Sequence, residues 1–234
     1  MSVVVRNVER TDASVAGALG GFGVATIHEA QGRIGLLAPQ IRPIYPGAHA
    51  SGTAVTVSVP PGDNWMIHVA VEECREGDLL IVAPTAPSDA GYFGELLATA
   101  LQARDVHGLV IEAGCRDIRD LERIGFPVWS RYVSAQGTAK ETLGDVNLPI
   151  VCAGQDVNPG DVVVADDDGV VVVRRQDAPA VLEASREREA REAEQKPRYA
   201  AGELSVDIYD MRPGLAAAGL TYVEQDRIEP GAVD

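Results

Sequence analysis

The chain has 234 residues, of which 46% are apolar and 5% aromatic, so it can bury a substantial core of aliphatic side chains. The formal net charge of −15 argues against nucleic acid and anionic membranes as partners, because both need a basic face. An anionic substrate would therefore need local arginines or a metal ion. The absence of a long apolar run, together with the scattered Cys74, Cys115 and Cys152, predicts a cytoplasmic protein with reduced thiols.

Two short helices are predicted near the N-terminus, with Gly20-Gly21 between them. In the second helix, Thr26 and Glu29 have the spacing of a capping box. The stretch GALGGFG weakly resembles the glycine-rich loop of a methyltransferase, but no convincing strand precedes it.

Strands and helices alternate in the middle of the chain, which indicates an α/β fold. The predicted elements are a strand at 51–59, a helix at 65–77 capped by Asn64, a strand at 78–84, a helix at 94–103, a strand at 108–112, a helix at 116–125, and strands at 127–130 and 148–154.

Two valine-rich runs flank Asp167, Asp168 and Gly169 and predict a hairpin, although the acidic run from Asp166 could also suggest a metal site. From Asp177 a long helix follows, and its second half is nearly all charged. Such a helix is either solvated or an arm that reaches a neighbouring subunit. A last helix is predicted at 202–219. The simplest organisation is an α/β core, residues 1–175, with a helical C-terminal arm, residues 176–234.

The central strand–helix–strand unit predicts where a site would lie. If its two strands are parallel neighbours, the loops that follow them open on one edge of the sheet, where ligands commonly bind. One loop leads into the helix N-terminus at Gly94, whose first amides lack partners within the helix and attract anions. The other carries Arg116 and Asp117.

The residue types at this edge can hold an anion beside a metal ion. The planar fork of Arg116 suits a carboxylate, and the carboxylates of Asp117 and Glu95 suit Mg²⁺ or Mn²⁺. The second Arg-Asp pair, Arg119 and Asp120, is predicted to lie on the helix surface, where Asp120 has i, i+3 spacing to Arg123.

At these residues the chain resembles the class II pyruvate aldolases, which cleave 4-hydroxy-4-methyl-2-oxoglutarate and 4-carboxy-4-hydroxy-2-oxoadipate. Their wider family includes the regulators of ribonuclease activity A. The resemblance is carried by GYFGELLATALQARDVHGLVIEAGCRD, in which an acidic residue, Glu95, is followed by twenty residues and then Arg116-Asp117. The family more usually has Asp at the first position. The segments GVATIHEAQGR, NLPIVCAG and PGDVVVADDDGVVVV fit as well.

The resemblance implies a fold and a set of site residues. The fold would be a layered α/β/β/α domain of the swivelling type. The substrate would contact Gly94, Asn64, Arg116 and the amides of Leu96 and Leu97, with Asp117 on the metal and Glu95 acting through its water. The site would lie between subunits of a trimer or hexamer and include Glu192 of a neighbouring arm. His28 and Glu29 fall on family segments near the site, with helix capping or core packing an equal alternative for both and for Asn64.

The function that the resemblance implies is metal-dependent cleavage of 4-hydroxy-2-oxo acids in the catabolism of aromatic acids, with oxaloacetate decarboxylation as a side activity. The competing aldolase chemistry uses a Schiff-base lysine. The chain has only Lys140 and Lys196, and neither lies in an obvious apolar pocket. The alternative from another class is a non-catalytic binding protein that resembles the ribonuclease regulators.

Overall fold

The computed structural model describes residues 2–225. Strands and helices alternate through its middle, as the sequence predicts. In chain order the elements are α1 Ala13–Leu19, α2 Val24–Ala30, β1 Arg42–Pro43, β2 Ala50–Val59, α3 Trp65–Ala70, β3 Asp78–Pro84, β4 Gly91–Phe93, α4 Glu95–Gln102, β5 Gly108–Cys115, α5 Ile118–Ile124, β6 Val128–Val133, β7 Asp145–Val146, β8 Ile150–Cys152, β9 Gln155–Val157, β10 Val162–Asp166, β11 Gly169–Val173, α6 Ala178–Ala200, α7 Ser205–Ile208 and α8 Arg212–Ala217.

One mixed sheet organises the first part of the chain, with the strand order β1-β6-β5-β3-β2-β10-β11. Its centre is parallel, because β2 pairs with β3, β3 with β5, and β5 with β6 in the same direction. The strand–helix–strand unit of β3, α4 and β5 is therefore built as predicted. The hairpin of β10 and β11 adds antiparallel strands beside β2.

Three apolar clusters separate four layers. Alternate residues of a strand point to opposite faces, so Leu80 and Val82 of β3 face helices α3, α4 and α5, whereas Leu79 and Ile81 face the opposite side. On the hairpin, Val163, Val170 and Val172 belong to the second cluster. The alternate valines, Val162, Val164, Val171 and Val173, pack instead on α1, α2 and the start of α6. The single sheet therefore folds back on itself into two packed layers, and helices cover both outer faces, which confirms the layered α/β/β/α swivelling-type fold.

A buried ion pair fixes the N-terminal segment to the start of β3. The Arg10 guanidinium donates from Nε and Nη2 to the two carboxylate oxygens of Asp78, at 2.8 and 2.9 Å. Asp78 also accepts from Thr53 Oγ1 at 2.5 Å and from the amide of Arg75 at 2.8 Å. The Asp78 side chain is 0% exposed and that of Arg10 15%. The hydrogen bond to Asp78 raises the pKa of Arg10, so the guanidinium stays charged.

Several local predictions were wrong. The helix predicted at 65–77 already ends at Ala70. Helix α2 begins at Val24 after Gly23, so Thr26 and Glu29 form no capping box, and Glu29 pairs with Arg33 at 3.0 Å. The strand predicted at 148–154 is shorter and joins β9 in a separate two-stranded sheet. Helix α5 begins after Asp117 rather than at Arg116. The last helix is divided into α7 and α8.

The chain divides into two compact units, and the boundary along the sequence falls between Glu187 and Arg188, inside α6. The sequence placed this boundary between residues 175 and 176. The first turns of α6 belong to the first unit because they carry the buried Ala178, Val181 and Leu182. No helix within residues 2–225 is long and apolar enough to cross a membrane.

The second unit is held by its own polar contacts. Arg198 binds Glu203 with Nε and Nη2, at 3.0 and 2.7 Å, and the Tyr209 hydroxyl donates to Gln195 at 3.0 Å. Large apolar side chains are exposed along it, which is the pattern of a segment that packs on another surface. They are Tyr199, Leu204, Tyr209, Met211, Leu220, Tyr222 and Val223.

Candidate active site

A short strand that the sequence did not reveal brings the two predicted loops together. Strand β4 pairs in parallel with the end of β5, with Phe93 opposite Cys115. The amide of Arg116 then donates to the carbonyl of Phe93 at 2.9 Å. Because β4 leads directly into Gly94 and α4, the first turn of that helix lies against Arg116 and Asp117, as the strand order predicts.

Gly94 is where the two loops come closest. A Cβ atom at this position would lie 2.2 Å from Asp117 Oδ2 and 3.2 Å from Arg116 Cγ. A side chain at this position would displace the Asp117 carboxylate, so glycine is favoured here by space rather than by its backbone angles. Gly94 therefore allows the Asp117 carboxylate to reach the start of α4, and this supports its place among the site residues.

Asp117 holds an uncommon backbone conformation, with φ +58°. It stands at the N-cap position of α5 but does not cap that helix with its side chain. Instead, Asp117 Oδ2 accepts a hydrogen bond from the amide of Glu95 at 3.1 Å. Left-handed non-glycine residues cluster at functional sites, and this one turns its carboxylate towards the mouth between the loops.

Arg116 is beside Asp117 but is not saturated by it. The distance from Arg116 Nε to Asp117 Oδ2 is 3.7 Å, and the two side chains are 48% and 41% exposed. They line an open cavity of about 410 Å³ together with Ile118, Val133, Ser134 and Ala135. A cationic fork and a carboxylate therefore face the same small volume, with donor capacity left for a ligand.

The predicted helix N-terminus is present, with one amide already used. Because Asp117 binds the amide of Glu95, the amides of Leu96 and Leu97 remain in the first turn of α4 without a carbonyl four residues earlier inside the helix. The Leu96 side chain is 85% exposed. This turn carries no side-chain cap.

The Glu95 carboxylate has a partner that sequence reasoning missed. Arg123 Nη2 donates to Glu95 Oε1 at 2.9 Å and to Asp120 Oδ1 at 3.0 Å. The pairing of Asp120 with Arg123 confirms that the second Arg-Asp pair belongs to the helix surface, where Arg119 is exposed. The extra methylene of Glu relative to Asp lets residue 95 reach across to α5. A charge-pattern search between the two helices could have found this contact.

Asn64 lies at the N-cap position of α3 but does not cap it. Its Nδ2 donates to the carbonyl of Tyr92 on β4 at 2.7 Å, and its buried Oδ1 has no hydrogen-bond partner within residues 2–225. The cap is Asp63, whose Oδ1 accepts from the amide of Trp65 at 2.9 Å. Asn64 thus supports the strand that leads to Gly94. Asp63 is a buried residue that sequence reasoning passed over, although it also precedes the predicted helix.

The other acidic and histidine candidates have hydrogen-bond partners within the fold. His28 Nδ1 lies 3.1 Å from the carbonyl of Ile34, in the loop that follows its helix. In the hairpin, Asp166 accepts from the amides of Val24 and Asp168, each at 2.8 Å, and Asp167 accepts from Gly47 at 2.9 Å. These carboxylates hold the hairpin turn and attach it to the start of α2 and to the loop before β2.

The cysteines are buried and unreactive. Burial raises the pKa of Cys115 to about 11 and that of Cys74 to about 12, and it also raises the pKa of Cys152. Within residues 2–225 no group of three His, Cys, Asp or Glu side chains is arranged to hold a metal ion. A metal at this site would therefore need few protein ligands.

Glu192 lies in the charged half of α6, in the second unit. Its Oε1 lies 2.9 Å from Arg188 Nε, and the two side chains form an i, i+4 ion pair. The Arg188 side chain is 32% exposed and the Glu192 side chain 43%. Glu192 is therefore on a helix surface from which an acidic group could be presented to a neighbouring chain.

Comparison with solved structures supports the fold. The chain superposes on an uncharacterised protein from Pseudomonas syringae pv. tomato with TM-score 0.76 and 25% identity, over 87% of this chain and 96% of the other. It also superposes on RraAS2 of Streptomyces coelicolor, described as "an unusual member of the RNase ES inhibitor RraA protein family". There the TM-score is 0.72 and the identity 26%, over 81% and 98% of the two chains.

Sequence relatives point to the same family. A Halalkalibacterium halodurans protein named "Putative 4-hydroxy-4-methyl-2-oxoglutarate aldolase" is 29% identical over 66% of this chain and 73% of its own. A protein of the same name from Burkholderia multivorans is 28% identical over 61% and 87%. Residues 12–172 match the RraA-like family model, described as Aldolase/RraA. With most of its length inside that model, the chain belongs to the RraA-like family.

Proposed function

We propose that the protein is a lyase, a divalent-metal-dependent aldolase of 4-hydroxy-2-oxo acids. Its reactions would be cleavage of 4-carboxy-4-hydroxy-2-oxoadipate to oxaloacetate and pyruvate, and of 4-hydroxy-4-methyl-2-oxoglutarate to two molecules of pyruvate. The observation that carries the proposal is the meeting of Arg116, Asp117 and the start of α4 at one sheet edge, where Asp117 Oδ2 lies 3.1 Å from the Glu95 amide. The aldolase names of relatives at 28% and 29% identity support it.

The 2-oxo acid end of the substrate would bind between Arg116 and α4. A carboxylate can accept two parallel hydrogen bonds from the guanidinium of Arg116, and a second anionic oxygen can accept from the amides of Leu96 and Leu97. This arrangement gives an acidic protein of net charge −15 a local site for an anion. Asn64 would act by supporting Tyr92 and hence the position of Gly94.

The donor set fits a hydrated hard cation. Mg²⁺ and Mn²⁺ are commonly held by one or two carboxylates, with water and substrate oxygens completing the shell. Asp117 would bind the ion directly, since its carboxylate is 41% exposed and faces the cavity. Glu95 would act on the ion's water shell after turning from Arg123. When bound, such an ion polarises the 2-oxo group as a Lewis acid.

The chemistry assigned to the chain's own residues is electrostatic. In the retro-aldol reaction the C4 hydroxyl loses its proton, the C3–C4 bond breaks, and its electrons pass to C3 and the 2-oxo oxygen as pyruvate enolate. Arg116 would stabilise the negative charge that develops there. Carboxylates at the site would orient the group that takes the hydroxyl proton. Loss of CO₂ from oxaloacetate gives the same enolate, so decarboxylation is expected as a side activity.

A Schiff-base mechanism fits the lysines poorly. It needs an amine that is desolvated or placed beside another cation, so that the neutral form is available. Lys140 and Lys196 are both exposed. The metal-dependent route is therefore the better match to this chain.

The decisive assay measures pyruvate. The protein is incubated with 4-carboxy-4-hydroxy-2-oxoadipate or with oxaloacetate, in the presence of Mg²⁺ and separately with a chelator. Pyruvate release that requires the metal is expected with both compounds. If neither compound yields metal-dependent pyruvate, the proposed function is wrong.

The C-terminal arm is proposed to complete the site of a neighbouring subunit in a trimer or hexamer. The exposed apolar side chains of the second unit support packing on another surface. Glu192 would be the residue that it delivers. Glu192→Gln should lower kcat by about tenfold to a hundredfold, as for a group that assists proton transfer, with an unchanged melting temperature. Glu194→Gln, on the same charged helix, serves as the matched control. A wild-type rate in Glu192→Gln would remove the arm from the reaction.

A non-catalytic regulator is the second candidate. It is favoured by the likeness to the Streptomyces coelicolor protein, which is described as a member of an RNase ES inhibitor family. The acidic surface suits a basic protein partner better than RNA. A protein that yields no pyruvate in the assay above but inhibits a ribonuclease of the RNase E class would fit this candidate.

A further inference from the structure

The segment 134–142, called here the strap, borders the candidate site. It joins β6 to β7 without regular secondary structure. Its Ser134 and Ala135 line the cavity of Arg116, and a Cβ on Gly137 would lie 3.8 Å from Arg116 Nη1. The position of the strap therefore decides how much room the Arg116 guanidinium has.

Hydrogen bonds rather than apolar packing hold the strap. Its only apolar side chains are Ala135 and Ala139, and both residues are exposed. Near the site, the amide of Ser134 donates to the carbonyl of Cys115 at 2.9 Å. The carbonyl of Gln136 accepts from the amide of Gly91 at 2.7 Å. Because the strap has no buried apolar side chain, loss of one of its hydrogen bonds would not be compensated by apolar packing.

The far end of the strap is fastened by the Asp63 side chain and by two backbone hydrogen bonds of Ala139, to the Gly62 carbonyl at 2.8 Å and from the Asn64 amide at 3.1 Å. Asp63 Oδ2 accepts from the amides of Glu141 and Thr142 at 2.7 and 2.9 Å, while Oδ1 caps α3 through Trp65. The residue is 3% exposed. A buried carboxylate that accepts three backbone N–H groups makes strong, charge-assisted bonds. Asp63 thus ties the strap to the turn that carries Asn64.

The same turn also contacts strand β4. The amide of Gly62 donates to the Tyr92 hydroxyl at 2.5 Å, and Asn64 Nδ2 donates to the Tyr92 carbonyl. The strap and the strand that leads into Gly94 are therefore set by one hydrogen-bonded turn.

We propose that Asp63 is a positioning residue, which holds the strap against Arg116 and so keeps the 2-oxo acid site in its binding shape. The inference deepens the proposed function and rests on it for the ligand at Arg116. Asp63 does not touch the substrate, so its loss should weaken substrate binding more than turnover.

The chain offers a matched control in Asp161. It is also 3% exposed, and its carboxylate accepts from the amides of Asn158 and Arg175 at 2.9 and 2.8 Å. It fastens the turn before β10 and has no hydrogen bond to the strap. Asp63→Asn and Asp161→Asn should therefore cause similar losses of stability but differ at the site.

Strap release has a readout that does not depend on activity. The only lysines are Lys140, in the strap, and Lys196. A protease specific for lysine therefore reports strap opening as the fragments 1–140 and 141–234. At 25 °C, below the melting temperature of each variant, Asp63→Asn should be cut after Lys140 about tenfold faster than wild type. Asp161→Asn should be cut at the wild-type rate.

The kinetic arm uses oxaloacetate with Mg²⁺. Asp63→Asn should raise KM about tenfold and leave kcat within about threefold, since the lost bonds position the binding group. Thr142→Pro removes one strap N–H without altering the buried carboxylate. It should change both readouts in the same direction, and it keeps the test available if Asp63→Asn does not fold.

The experiments distinguish failure of the Asp63 proposal from failure of the proposed function. Wild-type cleavage and KM in Asp63→Asn, or equal changes in Asp161→Asn, would overturn the proposal, as would fast cleavage with an unchanged KM. If the wild-type protein yields no pyruvate, the proposed function fails. The protease experiment then decides alone, with selective cleavage of Asp63→Asn supporting the fastened strap and equal cleavage refuting it.

Discussion

Two Arg–Asp pairs at opposite edges of the parallel strands use the same two side chains in different ways. Arg10 and Asp78, at the start of β3, meet in two bonds of 2.8 and 2.9 Å and are almost fully buried. Arg116 and Asp117, at the end of β5, stand 3.7 Å apart and about half exposed. The first pair satisfies itself and carries structure. The second keeps donor and acceptor capacity for a ligand, which is why sequence identity alone cannot assign a role to an Arg–Asp pair.

The largest expected effect is on turnover at the open pair. Arg116→Ala should lower kcat/KM for oxaloacetate by about a hundredfold to a thousandfold, because it removes a group that stabilises developing charge. Its free energy of unfolding should change little, since the side chain is half exposed. Arg119→Ala, three residues further along, should remain active. Equal losses in both variants would show that the site is placed wrongly.

The closed pair should show the reverse pattern. Arg10→Met leaves the buried Asp78 carboxylate without its counter-charge and should lower the free energy of unfolding by about 3–5 kcal/mol. At a temperature where the variant is folded, kcat/KM should stay close to wild type. Urea unfolding together with the pyruvate assay measures both quantities. A loss below about 1 kcal/mol would contradict the structural role given to this pair.

Asp63 sharpens the comparison, because backbone amides take the place of arginine. Burial raises the pKa of Asp63, but the N–H groups of Trp65, Glu141 and Thr142, with the charge of Lys140, outweigh it, and the pKa is lowered. The stability that this carboxylate contributes is thus present above the ordinary carboxyl pKa of about 4 and is lost as the pH falls through its folded value.

Asp63→Asn should therefore be less stable than wild type by about 1–3 kcal/mol at pH 7. The difference should shrink as the pH falls below the ordinary carboxyl pKa of about 4, because the unfolded carboxylate is protonated first and the folded one follows at a lower pH. Urea unfolding at three pH values measures it. A difference that stays constant with pH would mean that the Asp63 charge contributes nothing.

The smallest effect is expected at the exposed ion-pair network of Arg123 with Glu95 and Asp120. Arg123→Met should change the free energy of unfolding little, because exposed ion pairs are screened by solvent. Its effect on kcat/KM shows whether the position of Glu95 matters, with Arg119→Met on the same helix as control. A change in kcat/KM as large as that of Arg116→Ala would move Arg123 into the reacting site.

Much of the architecture was predictable because it depends on local chemistry. Alternating valines predicted the β10–β11 hairpin, and Gly125 predicted the end of α5, where it caps the helix with φ +69°. The errors have physical causes as well. Three-residue β4 is too short for a periodic signal, and the cap at Thr26 failed because Gly23 begins the helix one turn earlier. The division of α6 depends on which of its turns find an apolar partner.

The sequence by itself determined an α/β fold, the edge at which Arg116 and Asp117 meet the start of α4, and the difference between the two Arg-Asp pairs of the loop. These follow from periodicity, strand order and helix termini, whereas the layered arrangement was implied by the family resemblance. Only the tertiary structure decided that Asp117 binds the Glu95 amide, that Arg123 takes the Glu95 carboxylate, and that Asp63 fastens the strap beside Arg116. Each of these contacts joins residues more than twenty positions apart, and their pairing depends on how the loops fold over the sheet edge rather than on any local pattern.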